Sequence, residues 1–459
     1  MRVLLSRPRG CAAAIAVALA ALSQRAAAQR WDVEADGAVN VGYNQQTQTV
    51  FVPDPGAPLP SDTPSSTTQS LFMEIRPGIL VQTGSPRLTW RAGYIFAGTL
   101  SIVGDQLSAA SNQVTGSVTA EVSKFSFLTL SGVFSQGGTA FQLTSRSADS
   151  GVAELRAPGS PDTLAATAAE SMITELARKL TMQQTLVVSA SAPEDDLSAR
   201  NSAIAASLAL DRVLDRDSIG VDVHGSVSWL VPLQLGMTEY KSYTSSVGGH
   251  WNHDFSLNWN GMASAGVEQV FTDTGSKPLA FLPTGGLALR YTPQPDVGGA
   301  LDFTHGTATN LQVGSVSLTD RVGVHGAIGI DSRKSRAVAF SASFLHNEPL
   351  GQVSALVAAG TGNAVQLDAG FTTALAKNVL GNIRYSFAYQ FGQGGGLPDS
   401  LAHIFYIGVT GVLRNTDRPL LPLPLRGQRV DGGDSNFPVV EEAPEPSPDS
   451  SRTGDTPKP

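Results

Sequence analysis

Past its first thirty residues the chain never runs apolar for long, yet it alternates apolar and polar residues again and again. Successive side chains of a strand point to opposite sides, so a period of two makes one oily face and one wet face. In 216–232, Ile219, Val221, Val223, Gly225, Val227 and Trp229 share one face. Asp222, His224, Ser226 and Ser228 share the other. The same pattern opposes Ile383, Tyr385, Phe387, Tyr389 and Phe391 to Asn382, Arg384, Ser386 and Gln390 in 378–393. It recurs in 86–103, where Leu88, Trp90, Tyr94 and Phe96 oppose Arg87, Thr89 and Arg91. In 317–332, Val322, Val324, Ile328 and Ile330 oppose Arg321, His325 and Asp331.

Composition narrows the choice of β fold. Only 15% of residues are charged and glycine occurs 47 times. A helical membrane protein needs apolar stretches of about 20 residues, and the chain has none. A transmembrane barrel reconciles low charge with near-zero mean hydropathy, because each strand is half apolar. A soluble sandwich also alternates, but two features oppose it. Aromatic residues gather on the apolar face near strand ends, as interface girdles do: Trp229, Trp251, Trp259, Tyr389, Phe391 and Phe405. Connections also alternate in length. Short ones fall near 84–86, 123–124, 178–180, 215–216, 253–254, 293–295, 332–335 and 376–378. Long ones fall at 49–69, 104–110, 139–161, 194–200, 233–238, 273–280, 309–316, 348–362 and 394–400. Tight periplasmic turns and long outer loops produce this asymmetry. Eight turns and nine loops predict an all-β, antiparallel outer-membrane β-barrel of about 18 strands, with both ends on the turn side. Segment 162–178 reads as a strand, although its composition also suits a helix capped by Asp162.

Three regions follow. Residues 1–28 carry Arg2, Arg7 and Arg9, then an apolar stretch at 11–22 and small residues at 26–28. They read as a cleaved signal peptide. Residues 29–416 form the barrel, which ends on a strand at 401–414 with Phe405, Ile407, Val409 and Leu413 outward. Residues 417–459 are rich in proline and acid and read as a disordered periplasmic tail. An aromatic signal for the barrel-assembly machinery at the end of the last strand would then be internal. The expected location is the bacterial outer membrane, with lipid as the first partner.

The net charge of −8 gives no footprint for nucleic acid. Cys11, in the leader, is the only cysteine, so no cysteine-based metal site is expected in the mature chain. His250 and His253 are three apart, a spacing that pairs residues on a helix rather than a strand. No phosphate-binding loop occurs. Neither a cofactor nor a metal is predicted.

Asp222, His224 and Ser226 place an acid, an imidazole and a hydroxyl on one face. The His-x-Ser pair resembles that of the outer-membrane phospholipase family over three residues, without that family's Asn-Gly. Residues two apart on a strand are about 7 Å apart, loose for one relay, so an ordinary wet wall is expected and no catalysis. The lumen candidates are Asp32, Glu34, Glu74, Arg76, Arg87, Arg91, Glu121, Asp222, His224, Glu268, Arg321, Asp331, Asp368 and Arg384. Their mixed signs suit a hydrated conduit better than a strongly selective ion pore.

With its leader, strand count and short turns such as Ala376-Lys377-Asn378, the chain resembles the roughly 18-stranded outer-membrane barrels of exopolysaccharide secretion. That resemblance implies passive export of a polar polymer, beside a periplasmic polysaccharide-export protein that lacks its own outer-membrane channel. A diffusion porin is the alternative, with loop 139–161 and its Arg146, Asp149, Glu154 and Arg156 as a constriction. A structural barrel that displays loops is the third reading.

Overall fold

The computed structural model describes residues 31–49, 65–85, 87–104, 109–137, 163–194, 197, 200–231, 239–273, 281–294, 297–310, 315–330, 336–350, 362–376, 378–392 and 400–414. The leader, the tail, Asp331 and loop 139–161 lie outside them.

The described residues form 18 antiparallel strands in chain order: β1 (Trp31–Thr49), β2 (Ser65–Ser85), β3 (Leu88–Gly104), β4 (Ala109–Ser123), β5 (Ser126–Gly137), β6 (Thr163–Ala177), β7 (Leu180–Pro193), β8 (Asn201–Val213), β9 (Asp217–Leu230), β10 (Tyr240–Ser256), β11 (Trp259–Thr272), β12 (Leu282–Gln294), β13 (Val297–Asn310), β14 (Ser315–Gly329), β15 (Arg336–Pro349), β16 (Gly362–Ala376), β17 (Val379–Gly392) and β18 (Ser400–Arg414). Each pairs with its sequence neighbours, and β1 pairs with β18 from Glu34–Arg414 to Gln48–Ser400. The sheet is therefore closed and has no free edge, which is what a sheet surrounded by hydrocarbon requires. Segment 162–178 is strand β6.

Three of the short connections are built around serine. Ser85, Ser123 and Ser256 each accept a backbone N–H two or three residues on, at 3.2 Å. The β10–β11 turn is at Leu257–Asn258, not at 253–254: His253 and Asp254 still pair across to Gly261 and Asn260. In sequence the polar run His253-Asp254 reads as a turn, but in the fold it is the wet end of a long strand. At the β6–β7 turn Lys179 takes φ 65°, a left-handed conformation that costs a residue with a Cβ. Its ammonium reaches Asp215 Oδ1 at 2.7 Å in the next turn. That hydrogen bond, with the lysine's charge, holds the exposed Asp215 carboxyl below its ordinary value. In Lys179→Ala the Asp215 titration, followed by carbon NMR, should return upward to the ordinary carboxylate range. No movement would refute the contact.

Register fixes which face is which. Ala35, Ile79, Tyr94, Val114, Phe134, Ala166 and Ala190 follow one another across the ladders of β1 to β7, and the same face continues through β18 to Leu413 beside Ala35. This face is apolar and open: Val221 is 57% exposed and Ile407 53%. The buried apolar cluster is small, with Leu230, Val270 and Val316 at the long-loop end, so the described residues contain no sandwich core. So much outward apolar surface is untenable in water.

Candidate functional site: the concave wall

The second face is concave, and side-chain contacts that skip a strand prove it. Phe72 on β2 and Tyr406 on β18 meet edge to face with centroids 5.5 Å apart. They flank β1, where Gly42 pairs with both. Any Cβ on Gly42 would collide with the Phe72 ring and the Phe405 carbonyl. Asp211 on β8 and His250 on β10 likewise meet over Gly220 of β9, which pairs with both. Only a surface curved toward the viewer brings such side chains together, and only glycine leaves room beneath them.

Two polar clusters stand out on this wall. In the first, Asp368 of β16 is almost fully buried and takes three donors. Arg384 Nη2 donates to Oδ1 at 2.8 Å, Ser386 Oγ to Oδ1 at 2.5 Å, and Gln366 Nε2 to Oδ2 at 3.0 Å. The Arg384 side chain is half exposed, so its charge still faces water. Glu74 on β2 lies within electrostatic reach of both Arg76 and Arg384. In the second, His250 is bracketed by Asp211 Oδ1 at 2.5 Å and Asp222 Oδ1 at 3.3 Å. In an 18-stranded ring, β17 stands nine strands from β8, so the clusters occupy opposite walls. With strands about 4.8 Å apart and tilted about 40°, such a ring is about 36 Å across between backbones.

Register places Asp32, Glu34, Glu74, Arg76, Arg91, Asp222, His224, Arg321, Asp368 and Arg384 on the concave face. Arg91 is tied to Gln82 Oε1 by Nε at 3.3 Å and Nη2 at 3.0 Å. Arg87 is not in the wall. It occupies the β2–β3 turn, largely exposed, with its guanidinium 3.8 Å from Glu121 beside the β4–β5 bulge. Glu268 points inward but does not line open space. It is 7% exposed and accepts from Thr307 N at 3.2 Å and Thr307 Oγ1 at 2.5 Å. Pairing of β12 with β13 ends at Gly285–His305 while β13 runs on to Asn310. The carboxylate therefore caps an N–H that the neighbouring strand leaves open.

The Asp222–His224–Ser226 relay is not assembled, because Asp222 turns to His250 instead. His250 and His253 fall on opposite faces, the latter bonded to Asp217 at 2.7 Å. No group of three metal-binding side chains is found among the described residues. Sequence reasoning missed Asp211, Arg290 and Asp302 as wall residues, and Tyr406 as a partner of Phe72. Each follows from alternation within its own strand, Asp211 from its place beside Leu210 in β8. With these included, carboxylates outnumber guanidinium groups on the described wall, and many hydroxyls and amides lie between them.

No protein-family description matches the chain, and no curated protein sequence does. Among solved structures it is similar to the FrpB iron transporter of Neisseria meningitidis, at 8% identity and a TM-score of 0.42. That match covers 85% of this chain and 82% of the other. It is also similar to OprD of Pseudomonas aeruginosa, at 11% identity and a TM-score of 0.39, over 84% and 96% of the two chains.

Proposed function

We propose that this chain is a bacterial outer-membrane pore, through which a hydrated exopolysaccharide passes outward without chemical change. The observation that carries the reading is a closed barrel with an open apolar convex face and a polar concave face of great width. Barrels of 16 to 18 strands leave an aqueous channel. The expected leader supplies export, and the chain ends of the barrel fall on the short-turn, periplasmic side. A long polar polymer needs a wall that binds weakly at many points, so that no segment is arrested. Here some of the carboxylates are held by neighbours, as Asp368 is by Arg384 and Asp211 by His250. The polysaccharide as cargo, and a periplasmic export protein as partner, rest on the architectural resemblance.

The excess of carboxylates on the wall favours a second reading, diffusion of small polar solutes with a preference for cations. One pair of measurements separates them. Deletion should abolish stainable polysaccharide at the cell surface, and the purified barrel should conduct ions in planar bilayers. Conductance with unchanged surface polymer would overturn export and leave the diffusion pore. Absence of both would leave the structural barrel.

A further inference from the structure

One carboxyl group is on the wrong side of the wall. Glu170 is the eighth residue of the fifteen in β6, at its midpoint. Register sets it beside Leu130 on β5 and Leu186 on β7, both outward and exposed. Other charged or imidazole groups on the convex face have a partner or lie at strand ends. His305 and Asp320, toward the long-loop end, satisfy each other at 2.5 Å. Asp217 and His253, at the short-turn end, are bonded together. No partner for the Glu170 carboxyl is found among the described residues.

Its polar neighbour is in a similar position. Gln184 pairs with Met172 across the β6–β7 ladder, so it lies diagonally beside Glu170 on the same face. The acceptor its amide finds is the Met172 thioether, at 3.7 Å, a poor one. In hydrocarbon an acceptor without a donor and a donor with a weak acceptor are both costly. The surface around them is shallow, with Gly132, Ala166, Ala168 and Ala206 on the same face, so a second wall can approach closely.

We propose that this patch joins two copies of the chain in the membrane, through β6 and β7. Rotation by half a turn about an axis parallel to the barrel, passing between these strands, sets β6 of one copy against β7 of the other. Each Glu170 carboxylate then accepts from the Gln184 amide of the second copy, and the bond is made twice by symmetry. The patch offers one acceptor and one donor, and a copy of itself is their complement. The inference rests on the reading that the convex face meets lipid.

The test uses the full chain in native membranes, in a Cys11→Ser background that removes its only cysteine. Ala168→Cys, beside the patch, should give a dimer band with a short bismaleimide. Ile407→Cys, on β18 and remote from it, should not. Adding Glu170→Leu should lower the cross-linked fraction about tenfold, while Glu170→Gln, which keeps an acceptor, should retain it. Light-scattering mass in mild detergent should equal two chains. Equal cross-linking at both cysteines, a single-chain mass, or indifference to Glu170→Leu would overturn the dimer. Bilayer currents are recorded on the same preparation. Currents without cross-links sink the dimer alone, and cross-links without currents sink the pore alone.

Discussion

Asp368→Ala should destabilise the folded barrel in lipid vesicles by about 2–3 kcal/mol, read from the urea midpoint at constant slope. The carboxylate is buried and holds three donors at once, from Arg384, Ser386 and Gln366. Deleting one partner of a buried ion pair typically costs about 3–5 kcal/mol, because the other charge is stranded. The lower value applies because half of the Arg384 side chain reaches water and can be rehydrated. Asp368→Asn keeps an oxygen for Ser386 and Arg384 and should lose roughly half as much. The double variant Asp368→Ala/Arg384→Met should recover part of the loss, since no charge is then left unpaired. A loss below about 0.5 kcal/mol for Asp368→Ala would mean that water replaces all three contacts.

The second large effect is expected at Glu268→Leu, about 2 kcal/mol by the same measurement. This residue serves the fold rather than the channel. It satisfies the backbone N–H and the hydroxyl of Thr307, where β13 outruns β12. Leucine fills the space but leaves both donors buried without an acceptor. Glu268→Gln retains one oxygen and should cost less than half. Ion conductance should be unchanged in either variant once folded. A change in conductance with full stability would return Glu268 to the channel wall.

Much of this architecture is legible in the sequence because closure and burial act on a period of two. In β9, Val221 and Val223 face outward and Asp222 and His224 inward, as their alternation requires. Segment 162–178 is ambiguous in sequence because its alanines favour a helix while its place between hairpins calls for a strand. Strand pairing on both sides, with β5 and β7, decides it. Alternation gives only the side of a residue, not its neighbours. It placed Glu268 inward without revealing the strand end that takes up its carboxylate. It placed Asp222 beside His224 without revealing that His250, from the next strand, takes it first. Contacts over Gly42 and Gly220 are equally hidden, since they join residues whose strands are not adjacent.

The seam between β1 and β18 also sets the timing of synthesis and assembly. Its ladder runs without interruption from Glu34–Arg414 to Gln48–Ser400, joining the first strand made to the last. Until Arg414 has left the ribosome, seventeen strands carry two raw edges that hydrocarbon cannot solvate. A partly made sheet thus has no resting place in the bilayer and every opportunity to pair with another such edge. The polypeptide must wait in water, finished but unclosed. The slow, long-range union of its two ends is then the step that commits it to the membrane.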